Sequence, residues 1–127
     1  MRHLPSAAEA AILIAVCVKR KEDEAGKEFT RLRLSEKTLA RLTGRRRLDG
    51  RFIADVNEAL LGFNLLLILS GDALGLVKAS AIKGWPRINS QRVEDEIGAA
   101  RRGSLDFDQL AEQLDEGNFP VEDEEDE

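Results

Sequence analysis

An α+β fold is expected from three observations. Apolar residues recur at helical spacing through Ser35–Phe63, they alternate with period two over Phe29–Leu34, and two short apolar runs, Leu65–Leu69 and Leu76–Lys83, enclose the turn-forming stretch SGDALG. The order is helix, strand, helix, helix, strand, strand. Residues 1–87 read as one domain, 88–116 as a helical extension and 117–127 as a disordered acidic tail.

Pro5-Ser6 opens the first helix, which the apolar pattern carries to about Val18. It is apolar nearly all round, so burial on more than one side is expected, against the other helices and either a partner subunit or the rest of the fold. Lys19–Glu28, polar and of mixed charge, reads as a loop. In the strand that follows, Thr30, Leu32 and Leu34 share one face while Phe29, Arg31 and Arg33 share the other.

The helix pair is the best-defined stretch. Ser35 is a good N-cap, Leu39, Ala40 and Leu42 form a stripe, and Gly44 ends the helix. Asp49 caps the second helix, whose Phe52, Ile53, Val56, Ala59, Leu60 and Phe63 lie on one face. Leu65–Leu69 and Leu76–Lys83 then pair as a hairpin, with Trp85 expected to seal the core edge beneath it. Two further helices follow. Ser90–Arg102 is capped by Ser90 and carries Val93, Ile97 and Ala100; Asp106–Glu116 groups Phe107, Leu110, Ala111 and Leu114.

The net charge of −5 conceals a division. Residues 1–92 carry 17 Lys/Arg against 10 Asp/Glu, and residues 93–127 carry 2 against 14. That asymmetry points to a nucleic-acid-facing body with an acidic tail, or to a solvated surface with a solubilising one. The apolar run Ala10–Val18 is too short to span a bilayer, and a single cysteine, Cys17, allows no internal disulfide, so a cytoplasmic protein with no membrane partner is expected. Catalysis is not expected. The one histidine is at position 3, Cys17 sits in an apolar run, and Gly44–Gly50 lacks the Lys-Ser/Thr of a phosphate-binding loop. Neither a cofactor nor a metal site of the Cys/His kind is indicated.

A short strand ahead of a helix pair and a hairpin behind it, over Ser6–Trp85, resembles the winged helix-turn-helix domain. The resemblance implies binding of double-stranded DNA with the second helix of the pair in the major groove, in a transcriptional or other DNA-process regulator. Arg45, Arg46, Arg47 and Arg51 would then carry most of the contact, flanked by Arg41, Lys37, Arg31 and Arg33; across residues 31–51 only Glu36 and Asp49 oppose them. Other features run the opposite way. The outward face of the second helix is expected to show Asp55, Asn57 and Glu58, and the candidate wing, Ser70–Gly75, has Asp72 and no cation. The chain has no Tyr, which leaves little for stacking single-stranded bases. A winged-helix adaptor for another protein and a non-catalytic subunit of a DNA-processing complex therefore stay open. So does a homodimer or protein partner held by the first helix or the C-terminal helices.

Overall fold

A computed structural model of the chain describes residues 3–71 and 73–116. The acidic tail, and Asp72 in the candidate wing, lie outside the described residues. The chain divides into two compact units, Met1–Pro86 and Arg87–Glu127.

The first unit opens with α1, Ala7–Ala25. Ser6 and Glu9 form a reciprocal capping box there, Ser6 Oγ accepting from the Glu9 N–H at 3.1 Å and Glu9 Oε1 from the Ser6 N–H at 2.9 Å. The helix does not stop at Val18. It continues through residues expected to form a loop, because Lys19–Ala25 are adequate helix formers, Lys19 and Asp23 pair at 3.4 Å one turn apart, and the first glycine comes at Gly26, in the left-handed conformation (φ 71°). Only one side is buried: Ala10, Ala11, Ile14 and Val18 enter the core. Ile12, Leu13, Val16 and Cys17 are exposed, which corrects the expectation of burial on more than one side.

Strand β1, Arg31–Leu34, is followed by α2, Glu36–Thr43, and α3, Gly50–Leu61, and then by β2, Leu65–Ser70, and β3, Ala73–Lys78. The strands form one antiparallel sheet in the order β1-β3-β2. Ser70 pairs with Ala73, so the hairpin is tight, and half of the expected loop Ser70–Gly75 belongs to β3. Leu65, Leu67, Leu74 and Leu76 bury one sheet face against Ile14, Leu39, Val56 and Leu60. Burying an aliphatic side chain of this size stabilises the fold by about 1.5–3 kcal/mol before entropy is counted. Thr43, the one buried polar residue among those described, satisfies its hydroxyl on the Leu39 carbonyl at 2.9 Å.

β3 starts and ends earlier than the alternation indicates, and a 3-10 helix takes over at Ala79–Gly84. The cause is Asn64. It sits in the left-handed region (φ 64°), accepts from the Ser80 N–H at 2.8 Å and donates from its amide to Ser80 Oγ at 2.9 Å, which turns the chain away from the ladder. Phe63 falls beyond α3 and is 48% exposed; Trp85, also 48% exposed, does not seal the core.

A second long-range tie joins α1 to the end of β3. Lys78 Nζ meets Glu22 Oε2 at 2.9 Å, and the same carboxylate accepts from the Phe29 N–H at 3.0 Å. The Lys78 bond, then the Phe29 bond, hold the Glu22 carboxyl below its ordinary range against the opposing effect of desolvation.

In the second unit Asn89, not Ser90, caps a 3-10 turn, Ser90–Val93, which runs into α4, Glu94–Arg101. Helix α5, Phe107–Glu116, follows with Asp106 accepting from the Gln109 N–H at 3.1 Å. Phe107 and Leu114 are 63% and 62% exposed.

Candidate nucleic-acid interface

The turn between α2 and α3 is assembled from local signals. Ser35 Oγ accepts from the Thr38 N–H at 3.0 Å to start α2, and Asp49 Oδ1 accepts from the Phe52 N–H at 2.7 Å to start α3. Gly44 ends α2 at φ 72°, and a Cβ there would meet Pro5 and Leu4 side-chain atoms at 3.1 and 3.2 Å. Both the backbone conformation and the close approach therefore require glycine.

The arginines of this turn do not play one role. Arg45 is half-buried and turned inward: its guanidinium donates to the Pro5 carbonyl at 2.8 Å and the Thr43 carbonyl at 2.9 Å, and stacks 3.9 Å from the Phe52 ring centroid. It ties the N-terminal segment to the end of α2 and to α3, which leaves its charge poorly placed for an external phosphate. Arg46, Arg47 and Arg51 are exposed. Lys37 and Arg41, also exposed and one turn apart on α2, share an open groove with Arg46. Arg46 also borders a groove that reaches Leu69, Gly71 and Leu74, so the turn lies beside the hairpin end. None of these five exposed cations has an ion-pair partner among the described residues.

Arg31 and Arg33 are not part of that group. Burial alternates along β1, Leu32 and Leu34 facing the core, so the two arginines project from the opposite face of the sheet.

The outward side of α3 carries Arg51, Ala54, Asp55, Glu58 and Leu61. Asn57 is not among them. Its amide donates to the Leu67 carbonyl at 2.9 Å and its oxygen accepts from the Leu67 N–H at 2.7 Å. It thus satisfies the backbone on the outer flank of β2 as another strand would. Nothing in the local sequence distinguishes Asn57 from a solvent-facing residue, and the eight residues from Arg45 to Phe52 cross a turn whose path is not periodic; neither role was legible. The N-terminus of α3 already holds the Asp49 carboxylate, so attraction for a phosphate there depends on side chains more than on free backbone N–H groups. On β2 and β3 the one cation among the described residues is Lys78, which is bound to Glu22. Among the described residues no helix is long and apolar enough to cross a membrane.

No protein-family model, curated protein or solved structure matches this chain.

Proposed function

We propose that the Met1–Pro86 unit is a winged-helix domain that binds double-stranded DNA, as part of a regulator of transcription or of another DNA process. The element order and the sheet order β1-β3-β2 are compatible with that fold. The observation that carries the functional reading is the set of five exposed, unpaired cations around the α2–α3 turn: Lys37, Arg41, Arg46, Arg47 and Arg51. Contact is made chiefly with phosphates, through the turn and the first turn of α3. Asp55 and Glu58 on the outward side of α3 oppose deep insertion into a groove, and the hairpin offers no free cation among the described residues. Binding is therefore salt-sensitive and tolerant of sequence.

The adaptor reading keeps one observation of its own. The same α3 side, with Asp55, Glu58 and the 53% exposed Leu61, suits a basic protein surface with an apolar contact at its centre better than it suits DNA.

Fluorescence anisotropy with a random-sequence duplex at two salt concentrations decides between them. DNA binding predicts an affinity that falls steeply with salt, and a salt slope lowered by about 2 when Arg46 and Arg47 are both changed to Ala. Absence of binding at low salt would reject the DNA reading in favour of the adaptor.

A further inference from the structure

Helix α1 has two apolar faces, and the fold uses one. Opposite the buried Ala10, Ala11, Ile14 and Val18, the side chains of Ile12, Leu13 and Val16 are 48%, 44% and 37% exposed, with Cys17 exposed beside them. At about 100° per residue, Glu9, Leu13, Val16 and Arg20 fall on one line, separated by four, three and four positions. That is the spacing of the seam between two paired helices. The patch is wider than the helix, since Leu13, Val16 and Cys17 border a groove with Leu42 of α2, and Ile12 and Leu13 border another with Pro5. A surface helix serving one core would carry polar residues along this line.

We propose that this face receives a second copy of the same chain, the two α1 helices crossing antiparallel about a two-fold axis level with the Ile14–Ala15 peptide. The order of charges selects both occupant and direction. In the antiparallel arrangement Leu13 lies opposite Val16 of the second copy and Ile12 opposite its Cys17, while Glu9 at one end meets the second copy's Arg20 and Arg20 meets its Glu9. A parallel pair would set Glu9 against Glu9 and Arg20 against Arg20, which is repulsive. Both charges are available. Arg20 has no ion-pair partner among the described residues. Glu9 uses Oε1 for Ser6 and His3 and keeps Oε2 for a further donor. Its carboxyl is held below the ordinary range, first by the Ser6 N–H and then by His3, and so is ionised at neutral pH. This inference does not depend on the DNA reading, and its test involves no nucleic acid.

Sedimentation velocity on the full chain, from about 1 to about 100 μM, should show a monomer–dimer equilibrium. Arg20→Glu should weaken the dimer by about tenfold or more and Val16→Glu should abolish it, both with unchanged helical circular dichroism. The charge exchange Glu9→Arg with Arg20→Glu in one chain should restore association, and a short bismaleimide should join the native Cys17 thiols of wild type and not of Val16→Glu. A chain that stays monomeric throughout, or a dimer indifferent to Arg20→Glu and Val16→Glu, would overturn the proposal. A dimer that the charge exchange leaves weak, with its helix content intact, would overturn the antiparallel register.

Discussion

Replacing Asn57 by Ala removes the clamp that holds α3 to the outer flank of β2. Two hydrogen bonds, at 2.9 and 2.7 Å, are lost together, each worth a net ~1 kcal/mol. The Leu67 N–H and C=O also lose their partners beside a leucine whose side chain is 3% exposed, which adds a fraction of the ~1–3 kcal/mol cost of an unsatisfied buried group. The expected loss is about 2–3 kcal/mol, or a fall in thermal midpoint of roughly 10 °C or more for a unit of this size. Asn57→Asp should also destabilise, because it keeps the acceptor for the N–H and sets a second oxygen against the Leu67 carbonyl. Asp55→Ala, two residues away and exposed, should stay within about 0.5 kcal/mol. Thermal and urea denaturation followed by circular dichroism reads all three. An Asn57→Ala protein as stable as wild type would refute the clamp and return Asn57 to the solvent-facing side of α3.

Arg45→Ala should destabilise the fold by about 1–3 kcal/mol through loss of the Pro5 and Thr43 bonds and the Phe52 stack, whereas Arg46→Ala should leave unfolding unchanged and weaken DNA binding; parallel denaturation and anisotropy titrations separate the two. Ile14→Ala should cost about 2–5 kcal/mol in urea denaturation while Leu13→Ala, in dilute protein, should cost little. The depressed Glu22 carboxyl contributes stability that is fully present above the unfolded carboxylate's pKa and is lost as pH falls through the lower folded value. The thermal midpoint should therefore decline as pH falls through the carboxylate range, less steeply in Glu22→Gln. Gly44→Ala should destabilise, because the left-handed backbone and the contacts with Leu4 and Pro5 both resist a Cβ; a midpoint equal to wild type would count against that packing.

Features governed by neighbours in the chain could be read from the sequence. Ser6, Ser35 and Asp49 cap the helices they precede, Gly44 ends α2, and the apolar run after Asn64 is a strand. Those governed by distant partners could not. Arg45 and Pro5 are forty positions apart, Glu22 and Lys78 fifty-six, and nothing near either end announces the other. The overrun of α1 past Val18 has a simpler cause: the charged residues there are good helix formers, so polarity alone does not mark a loop. Which apolar residues of α1 are covered was equally hidden, because the helix shows the same chemistry on two sides.

The sheet has two flanks, and they are unequal. Asn57 occupies the β2 flank at Leu67, while within the sheet the β1 flank has no neighbour. An extended segment from another molecule can extend the sheet from that side, the route by which small sheets polymerise. Two β1 strands meeting antiparallel about Leu32 would bring Arg31 of each against Arg33 of the other, and like charges directly opposite resist such pairing. Arg31 and Arg33, set apart from the basic turn, therefore oppose self-pairing of β1 in that register through charge alone, with no ligand needed.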